Sequence, residues 1–125
     1  MTARRLLVIE DDADQRLGLG IRLRAAGYAV TFSGDGASAM SAAQRDRPDL
    51  IILDLGLPGG DGFTVLERLR ANLRFAGTPV IVITARDPTT TRARAEQLGA
   101  VAFLQKPVDN DELLQAIRGA LDGAS

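Results

Sequence analysis

Leu50-Ile51-Ile52-Leu53-Asp54 is four aliphatic residues closed by a carboxylate. A continuous apolar run of this length reads as a strand buried on both faces, because a strand with one wet face alternates. Pro48 ends the helical pattern before it. Behind it, Gly56 to Gly62 holds four glycines and one proline, which is loop chemistry. Packing gives no reason for an acid to end such a strand and open a Gly-rich loop. Asp54 is therefore a candidate for chemistry by position alone.

Working outward, four more runs read as strands: Leu6 to Ile9, Tyr28 to Phe32, Pro79 to Ile83 and Val101 to Leu104. The stretches between them carry helical spacing. One helix runs from about Asp14 to Ala26 and is stopped by Gly27. A second covers Gly36 to Arg47. A third runs from Phe63 to about Phe75, with Val65, Leu66, Leu69 and Leu73 at helical spacing. Asp87-Pro88 opens a fourth, with proline in the first turn, and it ends at Gly99. Asp109 caps a fifth, which carries Leu113, Leu114, Ile117 and Leu121. Five strands alternating with five helices predict an α/β fold, a doubly wound parallel sheet with helices on both faces. Right-handed crossovers leave few strand orders.

The chain has 125 residues, enough for one domain with a real core, and residues 1–125 are expected to form a single domain. Fifteen basic and sixteen acidic side chains leave a net charge of −1, so the basic footprint of a nucleic-acid binder is missing. There is no cysteine and no histidine. That excludes disulfides, thiolate or His-ligated metal sites, Ser–His catalysis and a phosphohistidine on this chain. The longest apolar run falls far short of a membrane span. Met-Thr-Ala-Arg-Arg leads straight into a strand, with no secretory pattern, so a cytoplasmic domain is expected.

Sites in open α/β sheets form outside the carboxyl ends of the strands. The first strand is followed there by Glu10-Asp11-Asp12, the third by Asp54, the fourth by Thr84 and the fifth by Gln105-Lys106-Pro107. Carboxylates brought within ~4 Å repel by roughly 4 kcal/mol per pair at an effective dielectric near 20. They must be solvated, protonated or neutralised by a cation, and all-oxygen ligands suit Mg²⁺ or Mn²⁺. Asp12 or Asp14 reads more simply as the cap of the first helix. Lys106 is the only lysine among fifteen basic residues. A lysine there suits a compact point charge that pairs with phosphate or approaches a carboxylate end-on.

Taken together these pieces resemble the receiver domain of two-component response regulators. The matching segments are Val8 to Asp12, Pro48 to Asp54, Leu57-Pro58-Gly59-Gly60-Asp61-Gly62, Pro79 to Ala85 and Phe103 to Pro107. The resemblance implies a flavodoxin- or CheY-like sheet of order 2-1-3-4-5. It implies that Asp54 is the phosphoacceptor, served by a histidine kinase or a histidine-phosphotransfer protein. Asp11, Asp54 and the backbone carbonyl of Gly56 would hold Mg²⁺ (or Mn²⁺), and Glu10 would act through water. Lys106 would pair with Asp54 and then with the phosphoryl oxygens, and Thr84 would bond the phosphoryl group. The Lys106–Pro107 peptide would be cis. Thr84 would move on phosphorylation and Phe103 would turn inward, reshaping the face made by the fourth helix, fifth strand and fifth helix. Such a domain acts on itself and is not a multiple-turnover enzyme.

Some features are the chain's own. Val101 and Ala102 stand where DNA-binding members of that family carry paired acids, and Arg118 has no evident partner. That weighs against their dimer mode and a transcription-factor origin. Direct nucleic-acid binding and membrane association are not expected, and no output domain is seen in these 125 residues. In that family the side chains two past the phosphoacceptor and two past the threonine tune phosphoryl lifetime. Here they are Gly56, which would leave the phosphoryl open to water, and Arg86, which would shield it or pair with it. On the first helix, Leu19, Leu23 and Ala26 share the core side. Leu17 and Ile21 lie nearly opposite, a candidate docking stripe for the phosphodonor. Arg68, Arg70 and Arg74 read as a solvated face. Two other classes share elements of the pattern. A flavodoxin-like binder needs a neutral, hydroxyl-rich first loop, whereas this one is Glu10-Asp11-Asp12. An aspartyl-nucleophile phosphatase needs a second acid two residues after the first, where this chain has Gly56.

Overall fold

The structure, a computed structural model, describes residues 3–57 and 62–123. Pro58 to Asp61, part of the loop motif quoted above, lie outside the described residues. Five strands, β1 (Arg5–Ile9), β2 (Ala29–Ser33), β3 (Leu50–Asp54), β4 (Val80–Thr84) and β5 (Ala102–Gln105), alternate with five helices. The helices are α1 (Ala13–Ala25), α2 (Gly36–Asp46), α3 (Gly62–Ala71), α4 (Pro88–Gln97) and α5 (Asn110–Gly123). All strand pairs are parallel and the order is β2-β1-β3-β4-β5. This is the doubly wound sheet that the alternation of patterns predicts.

The period of two along each strand divides the core in half. Leu7, Ile9, Ile51, Leu53, Val80, Val82 and Phe103 face one way, onto Ala39 and Ala43 of α2, Phe63 and Leu66 of α3 and Ala95 of α4. Leu6, Val8, Leu50, Ile52, Ile81, Ile83 and Leu104 face the other, onto Leu19 and Leu23 of α1 and Leu113, Ile117 and Leu121 of α5. Leu50, Ile51, Ile52 and Leu53 have no exposed surface. Burial of each such side chain contributes about 1.5–3 kcal/mol. β3 sits at the centre of the sheet, so its carboxyl end opens at the middle of one edge.

Local chemistry sets the element ends. Asp12 is the cap of α1, accepting from the Gln15 N–H at 3.0 Å. Asp87 caps α4 and Asp109 accepts from the Glu112 N–H at the start of α5. Arg47 closes α2 in the left-handed region at φ 47°. Gly62 opens α3 because nothing larger fits: a Cβ there would stand 2.4 Å from the Cα of Leu55. That close approach presses the end of the loop against the end of β3.

Three expectations are corrected. The third helix ends at Ala71, not near Phe75. Asn72 breaks it by accepting the Arg74 N–H on its side-chain oxygen at 2.9 Å. Leu73, assigned to the apolar stripe, is thereby 96% exposed, while Phe75 returns to the core. Arg70 is not part of a solvated face. Its guanidinium donates to the carbonyls of Phe75, Ala76 and Thr78 and ties the α3–β4 connection to the helix. Ala26 lies just past α1 as its C-cap and is exposed, because the chain turns away there before Gly27 at φ 98°. No helix among the described residues is long and apolar enough to cross a membrane.

Candidate functional site

Parallel strands deliver their carboxyl ends to one edge, and the candidate residues gather there. Glu10 follows β1 directly, and its N–H donates to the Ser33 carbonyl at 3.0 Å. Asp54 is the last residue of β3 and pairs in register with Ile83, one residue before Thr84. Lys106 follows β5, its N–H donating to the Thr84 carbonyl at 2.9 Å. The Lys106–Pro107 peptide is cis.

Carboxylate oxygens of Glu10, Asp11 and Asp54 all lie within 4.8 Å of one another. Glu10 is wholly buried, Asp54 nearly so, and Asp11 is exposed. The Lys106 ammonium lies 2.6 Å from Glu10 Oε1 and 3.1 Å from Asp54 Oδ2. One cation thus faces a cluster of three acids, and the cluster keeps an excess of negative charge. The Glu10 carboxyl is pushed up to about 7, first by burial and then by its hydrogen bond with Asp54, against the opposing pull of Lys106. Burial pulls the Lys106 ammonium down, but its hydrogen bonds to Glu10 and Asp54 outweigh this and hold it above its usual value.

The remaining residues take these places. The Gly56 N–H donates to Asp54 Oδ1 at 3.0 Å, so the turn after β3 lies against that carboxylate. Thr84 is fully buried. Its hydroxyl accepts from the Arg86 N–H at 3.0 Å, which leaves the hydroxyl proton to be donated elsewhere. Phe103 is 6% exposed, packed with Val82 and lying under the Arg92 guanidinium at 5.4 Å. The ring lies inside in this structure, as suits a side chain with no hydroxyl to hold in water. Leu17 and Ile21 are 61% and 60% exposed on α1.

Sequence reasoning missed Arg16. Its Nη1 donates to the carbonyls of Glu10 at 2.9 Å and of Asp11 at 3.0 Å. The available signal was spacing alone, an arginine four residues past the helix cap, one turn above the acid loop.

Residues 6–118 match the profile of the response regulator receiver domain. The chain is 41% identical over 117 residues to the transcriptional activator protein IrlR of Burkholderia pseudomallei, covering 94% of this chain and 50% of that protein. It is 41% identical over 118 residues to the response regulator PleD of Caulobacter vibrioides, covering 94% of this chain and 26% of PleD. The chain therefore spans half or less of the length of these relatives. One of these relatives is a transcriptional activator. The receiver domain of the sensor histidine kinase PA1611 from Pseudomonas aeruginosa superposes with a TM-score of 0.88 at 30% identity, covering 97% of this chain and 99% of that one. That structure has a magnesium ion coordinated in its active site cleft. Motifs, sheet order and likeness converge: this chain belongs to the response regulator receiver domains, the signalling modules of two-component systems.

Proposed function

We propose that Asp54 accepts a phosphoryl group from a phosphohistidine on a histidine kinase or histidine-phosphotransfer protein. The observation that carries this reading is the meeting of Glu10, Asp11 and Asp54 within 4.8 Å at the sheet edge, with the Lys106 ammonium 3.1 Å from Asp54. An Asp54 carboxylate oxygen attacks phosphorus. The O–P bond forms as the P–N bond to the donor imidazole breaks, and the electron pair leaves with the imidazole. The Lys106 ammonium passes from the Asp54 carboxylate to the phosphoryl oxygens, which are stronger acceptors. The Thr84 hydroxyl donates to another of them.

The donor set is hard and all-oxygen, and its three carboxylates outnumber the one ammonium facing them. It suits Mg²⁺, and Mn²⁺ by the same chemistry. Asp11 and Asp54 would hold the ion directly with the Gly56 carbonyl, and Glu10 through water. When bound, the ion spreads the charge of the transferring phosphoryl group.

Phosphorylation places about −1.5 to −2 charges at the edge of the sheet. Thr84 moves toward that charge, and the α4–β5–α5 face around Phe103 carries the change to a downstream effector. The domain is a cytoplasmic switch modified once per cycle, without multiple turnover on a free substrate. Flavin binding and phosphatase turnover are not favoured, given acids in the first loop and Gly56 two residues after Asp54.

Acetyl phosphate with Mg²⁺ should place one base-labile phosphoryl group on the protein, located on Asp54 by mass spectrometry of borohydride-reduced peptides. Asp54→Asn should abolish the label, and chelation should suppress it. A stoichiometric label that survives Asp54→Asn overturns the assignment, as does sustained turnover of phosphate monoesters.

A further inference from the structure

We infer that Arg16 is a positioning residue for the divalent-cation site, pinning the β1–α1 loop so that Glu10 and Asp11 stay aimed at Asp54. The inference rests on the reading of those acids as the cation site. Arg16 is seated in the first turns of α1, its N–H donating to the Asp12 carbonyl at 2.9 Å. Its side chain folds back, and Nη1 donates to two consecutive carbonyls, those of Glu10 and Asp11. These are the peptide units that carry two of the three clustered acids.

Two observations make this more than a loop contact. First, among the described residues no side chain holds the Asp11 carboxylate, which is exposed; its direction follows from its backbone. Mutual repulsion of the acids, roughly 4 kcal/mol per pair at ~4 Å and an effective dielectric near 20, would splay a loose loop. Second, the opposite wall is cut away for the guanidinium. A Cβ at Gly34 would stand 3.1 Å from Arg16 Nη1, tighter than ordinary contact. The β2–α2 turn therefore leaves room for this one side chain.

Charge and positioning predict opposite signs. If Arg16 acted only through its charge, removing it would strengthen cation binding, because a positive charge near the acids opposes a second one. If it positions the ligands, removing it weakens binding, typically by about 10- to 100-fold for a group that orients ligands without touching the ion.

The test is calorimetric titration of the metal-free chain with MgCl₂, at a temperature where far-UV circular dichroism shows each variant folded. Arg16→Ala should weaken Mg²⁺ binding by about tenfold or more. Gly34→Val keeps the arginine but crowds its Nη1, and should shift the constant in the same direction. It also carries the test alone if Arg16→Ala does not fold. Affinity equal to or tighter than that of the native chain overturns the inference, even if the melting temperature falls, since that is what a merely structural arginine would give. A native chain that takes up no Mg²⁺ overturns the underlying reading of the site as well, which separates the two failures.

Discussion

Glu10 sits at the floor of the acid cluster with no exposed surface, its carboxyl pushed from 4.5 up to about 7 by burial above all. In the metal-free chain it binds its proton more tightly when folded than when unfolded. The stability it contributes is therefore fully present below about pH 4.5 and is lost as pH rises through about 7. Glu10→Gln keeps the shape and removes the titration, so its stability should vary less across this window. Urea unfolding in chelator at about pH 5 and about pH 7.5 compares the two chains; parallel pH dependences would contradict the assignment. The acidity of the Glu10-Asp11-Asp12 loop was legible in the sequence, and so was the need for a cation. The cap role of Asp12 was legible too; that Glu10 meets Lys106 while Asp11 faces solvent was not, because only the strand ends decide which carboxylate points where.

Among the helices, α4 is held differently from α1 and α5. α5 buries Leu113, Ile117 and Leu121, and α1 buries Leu19 and Leu23, whereas α4 buries only Thr91 and Ala95. Its other ties run through two arginines. The Arg94 guanidinium lies 4.1 Å from the Phe63 ring centre at the start of α3, and that of Arg92 lies 5.4 Å from the Phe103 ring centre. A contact of this kind is worth about 0.5–2 kcal/mol depending on desolvation. Arg94→Ala should cost about 1 kcal/mol and speed amide exchange in α4 while leaving α5 protected; hydrogen exchange resolves the two helices, and equal acceleration of both would refute it. A sparsely anchored helix beside Phe103 is suited to a face that must rearrange, since mobile elements come from the low-stability end of a structure. Helical spacing located α4 but not this trait. Arg70 shows the same limit from the other side: its spacing reads as solvated, yet three carbonyls of residues that follow α3 claim it.

At the scale of the molecule, the acid cluster opens beside α1. A groove lined by Gly18, Leu19, Arg22, Pro107 and Val108 reaches Lys106 along that helix. Leu17 and Ile21 stand exposed on the same helix. If a phosphodonor helix docks there, Leu17→Glu with Ile21→Glu should slow phosphoryl transfer from a histidine-phosphotransfer partner by about tenfold or more, the scale of losing roughly 1.4 kcal/mol of binding. Labelling by acetyl phosphate should be unchanged. Equal loss in both assays would show damage to the site instead of to docking.

The sequence by itself determined the five strands, the five helices and the edge of the sheet at which chemistry gathers. Apolar period and turn residues are local signals, and parallel strands must present their carboxyl ends together. It also singled out Asp54 and Lys106, because an acid closing a buried strand and a lone lysine among arginines break the local pattern. Only the tertiary structure decided that Lys106 reaches both Glu10 and Asp54, that Phe103 is already inside, and that Arg16 and Arg70 serve backbone carbonyls. Those outcomes depend on where a long flexible side chain finds its partner across 5 to 96 residues of chain, and no periodicity records that.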